Sequence, residues 1–395
     1  LKPENSEHLL QTNNIQAYVN TEKSCTMKPG SAILLDFGIE LHGGVRIVVD
    51  KMECNTVDVR LRFGESASEA MAEPNNDHAI HDGMVTLPRW GMVEFGNTGF
   101  RFLRIDIPLD SPVESIGILG VYAVAFYRDV VYAGSFNCND ERLNQIWRTG
   151  AYTVHLNMQD YIYDGIKRDR LVWMGDLHPE IRVICSVFED KTLIPKSLDF
   201  VRDKTPLPAF MNHLSSYSLW WIINQYEWFM DSGDIEYLKK QASYLYDLLL
   251  ILARYIDING KEQLPKVRFF DWNSAGEPLV IHAGLQSLML WAFKSGRHLA
   301  SILGNKKIEN LCAGIVARML KYSPPAVMSK SANAFKAISG LGDPVEINRM
   351  ILSKNETSGL STFLGYYVLQ ARALAGDYTG ALHIIRQDWG GLLDV

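Results

Sequence analysis

The sequence predicts a multi-domain β + α chain. An N-terminal antiparallel β-sandwich is expected over residues 1–133, followed over 134–395 by an (α/α)6 toroid, or barrel, that is one helix short. Three observations predict this. Apolar residues recur with period 2 in the first third of the chain and with the helical period after about residue 137. Turn-forming residues cut the first part into short apolar runs. The second part is a succession of helical segments with short connections and almost no strand among them.

In the first part, the runs Ser31–Phe37, Gly44–Val49, Thr56–Phe63, Phe100–Ile107 and Ile116–Phe126 are rich in Val, Ile, Leu and aromatic residues. Gly43-Gly44, Pro74-Asn75-Asn76 and Asp110-Ser111-Pro112 separate them as turns. Val57-Asp58-Val59-Arg60-Leu61-Arg62-Phe63 alternates apolar and charged residues, which predicts a strand with one wet face. Several such strands suggest a sandwich.

In the second part, Ile235, Leu238, Leu245, Leu248, Leu249, Leu252 and Ile256 follow helical spacing. Asp343-Pro344 reads as an N-cap followed by Pro at the first helical position. Gly233-Asp234 and Gly376-Asp377 read as junctions between helices. About eleven helical segments can be counted from Asn139 onward. No repeat of fixed period is seen, which disfavours a regular solenoid.

Composition narrows the function. The chain has 395 residues, of which 47% are apolar and 21% charged, enough to bury large cores. A net charge of -6 leaves no basic surplus to neutralise phosphates, so nucleic acid is not expected as a partner. No stretch is long and apolar enough for a membrane-spanning helix. The first residues, Leu1-Lys2-Pro3-Glu4-Asn5, have neither Met nor an apolar leader segment and read as a cut end. Five widely spaced cysteines suggest buried thiols rather than disulfides or zinc ligands. Eight of the nine Trp follow residue 140. Core packing is the expectation for most of them, with sugar stacking as the alternative.

The most informative stretch runs from Asp160 to Glu180. It gathers Asp164, Asp169 and Asp176 with Lys167, Arg168, Arg170 and Trp173, and Gly165 and Gly175 mark it as a loop. Glycoside hydrolysis needs a carboxylic acid to protonate the leaving oxygen and a second carboxylate to activate water. Neighbouring carboxylates raise one another's pKa, which suits the acid. Asp and Arg together, Arg168 among them, can also hold sugar hydroxyls. A solvated loop of surface ion pairs would look the same by spacing alone. The interleaved positive charges argue against metal ligation by the three Asp residues. The remaining candidates, Glu227, Glu277, Glu356 and the scattered histidines, read as helix-surface, helix-terminal or packed residues.

The run Asp164-Gly-Ile-Lys-Arg-Asp169-Arg-Leu-Val-Trp173-Met-Gly175-Asp176 resembles the signature of the α-L-rhamnosidases of glycoside hydrolase family 78, approximately Asp-x-x-x-Arg-Glu-Arg-x-x-Trp-x-Gly-Asp. Tyr132–Phe136 with Leu143–Trp147, Ser232-Gly233-Asp234 and Phe269-Phe270-Asp271-Trp272 also resemble family segments. The resemblance implies inverting hydrolysis of terminal, non-reducing α-L-rhamnosides, without cofactor or metal and without a membrane partner. It implies that Asp169 is the general acid, that Asp164 and Asp176 bind the sugar, and that Trp173, Asp271 and Trp272 shape the pocket. A periplasmic or extracellular setting is favoured, with a cytoplasmic one left open.

Two departures accompany the likeness. Asp169 stands where the family usually has Glu, one methylene longer, and Glu180 is the alternative acid. The stretch Ala381–Val395 resembles the one before the family's second catalytic Glu, so the general base, the last helix and a trailing β-sandwich are expected beyond residue 395. Two rival readings follow. One is a non-catalytic glycan-binding relative. The other is a different (α/α)6 carbohydrate enzyme such as a polysaccharide lyase, hinted at by Tyr161 and Tyr163 beside Lys167 and Arg168.

Overall fold

The computed structural model describes residues 1–10, 24–73, 81–265, 267–355 and 357–394. The expected turn at Pro74-Asn75-Asn76 and residue Glu356 lie outside the described residues. The chain divides into two compact units. One holds Leu1–Arg128 together with Gly165–Arg170; the other holds Asp129–Asp164 and Leu171–Val395. The short segment Gly165–Arg170 therefore groups with the sheet, although it lies within the span expected to be helical.

The first unit is built on β1 (Cys25–Met27), β2 (Ala32–Val49), β3 (Thr56–Gly64), β4 (Asp82–Pro88), β5 (Met92–Asp106) and β6 (Ile116–Ala125), with helix α1 (Ala67–Met71) between β3 and β4. Hydrogen bonding joins the six described strands into one sheet, in the order β1-β6-β2-β5-β3-β4. All the pairings are antiparallel. The two expected strands Ser31–Phe37 and Gly44–Val49 are halves of the single long strand β2. Its ladder with β5 shifts register between Asp36 and Leu41 and again between Gly43 and Val45. Such irregularities bend a strand without ending it. Gly43-Gly44 is thus not a turn between strands. A Cβ at Gly43 would lie 2.0 Å from the Val124 carbonyl oxygen, so the pair marks a close approach of backbones inside the sheet.

Strand β3 buries Val57, Val59, Leu61 and Phe63 in the sheet core, as its alternation predicts. Its other face is less wet than expected. Asp58 is exposed, but Arg60 pairs with Asp82 at 2.8 Å and the buried Arg62 pairs with Asp106 at 2.9 Å. Neighbouring strands supply carboxylates to both guanidinium groups.

The second unit is helical. Its helices are α2 (Glu141–Asn157), α3 (Leu177–Val187), α4 (Leu193–Lys204), α5 (Ser215–Ser232), α6 (Ile235–Ala253), α7 (Pro278–Ile302), α8 (Lys306–Met319), α9 (Lys330–Ser339), α10 (Pro344–Ile347), α11 (Gly365–Leu374) and α12 (Tyr378–Ile384). Helix α6 buries Leu238, Leu245, Leu248, Leu249 and Leu252, the face its periodicity predicts. Asp234 caps it by accepting from the Tyr237 amide at 2.9 Å. Asp343 caps α10 with Pro344 at the first helical position. Packing follows a regular scheme: α3 against α5, α5 against α7, α7 against α9, and α9 against α11. The aromatic load sits mainly in this core. Trp221 and Trp220 are buried, and Trp220 lies 5.4 Å from the Tyr367 ring and 4.9 Å from that of His178. Burial lowers the pKa of His178 to about 3, so this is a neutral packed histidine.

Candidate active site

The loop after α2 is closed at its neck by Asp164. The Asp164 amide donates to the Leu171 carbonyl at 3.0 Å, and its Oδ1 accepts from the Leu171 amide at 2.9 Å. Beyond the neck, Asn212 holds the extended chain from both sides. It donates to the Val172 carbonyl at 3.0 Å and accepts from the Met174 amide at 3.1 Å. Asn224 of α5 donates to the Met174 carbonyl at 3.0 Å. These bonds bring the chain to Asp176, the N-cap position of α3.

Asp176 makes no capping bond to its own helix. Its Oδ2 accepts from the Tyr217 hydroxyl at 3.4 Å. Burial, with Asp176 and Asp164 nearby, holds Tyr217 far above the usual phenol range, so it remains a donor. Glu180 follows four residues later, on the same face of α3. It is 8% exposed, and its Oε1 accepts from the Asn157 side-chain amide at 2.9 Å. Burial pushes its carboxyl well above the ordinary range. The Asn157 bond opposes this, and the charges of Asp176 and Asp164 add to it. The shift favours the protonated carboxyl over the carboxylate.

Two cavities meet at Asp176, Thr362 and Phe363. One, of about 400 Å³, is lined by Asp176, Tyr217, Phe269, Asp271, Trp272 and Ser361, among others. The other, of about 460 Å³, takes in Asp164, Asp176, Asn157 and Glu180, with apolar walls that include Val154 and Trp389. The structure thus brings Asp164, Asp176 and Glu180 to one cavity, and Asp176, Asp271 and Trp272 to its neighbour. Asp271 is buried, and desolvation raises its pKa against the Trp272 and Asn273 amides and Ser361. Trp272 is 80% exposed and edge-on to Phe269. Trp173 lines neither cavity. It packs edge-on against Tyr217 with ring centroids 5.6 Å apart. Arg168 and Asp169 are exposed residues of the segment that groups with the sheet. Glu227 is ion-paired with Arg182 at 2.9 Å.

The sequence reading did not anticipate Asn157, Tyr217, Thr362 and Phe363. None belongs to a motif, and they join the site from residues far apart in the chain. The nearest available signal was that Asn157 sits just before the loop, at the end of α2.

Residues 132–278 match the family described as the bacterial alpha-L-rhamnosidase 6 hairpin glycosidase domain. An alpha-L-rhamnosidase of Formosa agariphila is 22% identical over 154 residues, which is 37% of this chain and 16% of that protein. Among solved structures, a rhamnosidase from Klebsiella oxytoca with rhamnose bound superposes with a TM-score of 0.77 at 17% identity, covering 93% of this chain and 80% of that one. A family 78 rhamnosidase of Bacillus sp. GL1 gives 0.77 at 18% identity, over 95% of this chain and 42% of that one. These likenesses establish the fold, and the chain spans about a sixth of the length of the curated relative it matches. The signature Asp164–Asp176, the domain matched over residues 132–278 and the shared fold all point the same way: the chain is similar to the α-L-rhamnosidases of glycoside hydrolase family 78.

Proposed function

We propose that this chain carries the sugar-binding and proton-donating part of a glycoside hydrolase that removes terminal α-L-rhamnosyl groups by an inverting, two-carboxylate mechanism. The observation that carries the reading is the convergence of Asp164, Asp176 and Glu180 on one cavity within a rhamnosidase-type domain. Asp164 and Asp176 accept hydrogen bonds from sugar hydroxyls, and Asp271 and Trp272 form the wall of the adjoining polar cavity. Asp169 donates the proton to the leaving oxygen, as the family signature implies. No cofactor takes part in this chemistry, and the reading assigns no general base among the described residues.

The same reading takes the helical unit as an (α/α)6 toroid with α3, α5, α7, α9 and α11 as its inner helices, a scheme supported by their successive packing. It takes the bent strands β2 and β5 as folding the sheet into the two layers of a sandwich, with the domains divided near residue 133.

A second reading of the donor rests on a specific observation: Glu180 lines the cavity, and burial raises its pKa. Release of nitrophenol from an aryl α-L-rhamnoside separates the two. If Asp169 is the donor, Asp169→Asn loses kcat by roughly 100-fold or more while Glu180→Gln loses far less. The reverse pattern moves the role to Glu180. If the full-length protein binds rhamnose in calorimetry but hydrolyses no aryl glycoside, it is a glycan-binding relative, and the hydrolase reading falls.

A further inference from the structure

We infer that Glu69 is a positioning residue for Asp169, acting through Lys167; this rests on the reading of Asp169 as the proton donor. The segment Gly165–Arg170 is anchored to the sheet on either side of Asp169. On one side, Ile166 is buried so tightly that a Cβ on Gly99 of β5 would lie 2.6 Å from its Cγ1. Next to it, Lys167 is 4% exposed, with its ammonium 2.6 Å from Glu69 Oε1 and donating to the Phe63 carbonyl at 3.4 Å. On the other side, Arg170 adopts a left-handed backbone, φ 52°, and its guanidinium donates to the Asn97 carbonyl at 2.8 Å. Arg168 and Asp169 are the exposed residues between these anchors.

Glu69 is itself fixed. Its second oxygen accepts from the Glu65 amide at 2.8 Å, and its own amide donates to Ser66 Oγ at 3.2 Å, which caps α1. Its side chain cannot turn away from Lys167 without giving up the bond from the Glu65 amide, just ahead of this helix. Breaking a buried ion pair leaves an uncompensated charge, so the Lys167 contact resists opening. Two further carboxyls, Glu40 and Glu65, belong to the cluster. Burial raises both, Glu40 to about 8, and the charge of Lys167 opposes the rise in each. A donor must be held to within a fraction of an ångström of its acceptor, and here the sheet's side chains set the backbone that carries it.

The test compares the full-length wild-type protein with its Glu69→Gln, Lys167→Met, Glu69→Asp and Asp169→Asn variants. It uses amide hydrogen exchange across residues 166–170 and steady-state kinetics on an aryl α-L-rhamnoside. Glu69→Gln and Lys167→Met are expected to speed exchange of this segment by about tenfold or more, and to lower kcat by roughly 10–100-fold with KM within about twofold of wild type. Glu69→Asp keeps the charge and is expected to recover part of the loss, and it serves if Lys167→Met fails to fold. Unchanged exchange in folded variants overturns the inference whatever the activity. Faster exchange with unchanged kcat also overturns it when Asp169→Asn is inert. Full activity in Asp169→Asn instead brings down the donor reading, and the positioning role with it.

Discussion

The Asn157 side-chain amide donates to Glu180 Oε1 at 2.9 Å, linking α2 to α3 beside Asp164 and Asp176. This bond favours the ionised carboxylate, yet burial outweighs it and Glu180 is held well above the ordinary range. The folded chain therefore keeps a proton that the unfolded chain releases near a pKa of about 4.3. Above that pH the unfolded state binds fewer protons, so stability falls as pH rises, by up to about 1.4 kcal/mol per pH unit. Glu180→Gln removes this slope. Urea unfolding at pH of about 5, 6 and 7 should show wild type losing ground to the variant as pH rises. A constant difference would mean that Glu180 ionises as readily in the fold as outside it.

Asp176 serves both cavities and accepts from Tyr217. On the proposed role of Asp176 as an acceptor for sugar hydroxyls, Asp176→Asn is expected to weaken rhamnose binding by about 1.5–3 kcal/mol in calorimetry. Tyr217→Phe deletes a long bond of 3.4 Å and should cost about 1 kcal/mol or less. An Asp176→Asn protein that binds rhamnose like wild type would remove this residue from the sugar site.

Trp272 offers a test in which binding and stability part company. Its ring is largely exposed while lining the polar cavity. Trp272→Ala is expected to leave unfolding free energy within about 0.5 kcal/mol. The same change should raise the KM for an aryl rhamnoside several-fold, by about 0.5–1.5 kcal/mol of lost ring contact. Equal KM values would mark Trp272 as a surface residue without a role in the pocket.

The wall that carries Trp272 is reached from Glu262, whose side chain is wholly buried. Its carboxylate accepts from His282 Nδ1 at 2.6 Å, from the Leu264 amide at 2.9 Å and from both terminal nitrogens of Arg268. Burial raises the pKa of Glu262, but these partners together bring it below the usual value. Its contribution is present above the unfolded pKa and is lost as pH falls through the folded one. Glu262→Ala is expected to destabilise the protein by about 3–5 kcal/mol at neutral pH. Glu262→Gln should cost less, and its deficit should shrink on acidification. Thermal melts from neutral pH to about pH 4 check both.

Much of the architecture was legible locally. Alternation at Val57–Phe63 marks β3, the leucine spacing of Ile235–Leu252 marks α6, and Asp343-Pro344 marks the start of α10. Each depends on periodicity or capping within a few residues, which the chain carries wherever it is placed. The signature Asp164–Asp176 likewise carried the resemblance to the α-L-rhamnosidases within one short run of residues. Gly43-Gly44 was misread because a glycine needed for close backbone approach and a glycine in a turn look alike in sequence. Arg62 was expected to face water because alternation reports which face a residue takes, not what covers that face.

What the sequence by itself determined is the succession of strands and helices and the carboxylate-rich loop that marks the family. Only the tertiary structure decided that Glu180 is buried beside Asp164 and Asp176, that Tyr217 and Phe363 complete the cavities, and that Lys167 is held by Glu69. The reason is physical. Backbone preference and hydrophobic period are short-range properties, whereas desolvation, ion pairing and cavity shape depend on groups that meet only after chain segments hundreds of residues apart have packed.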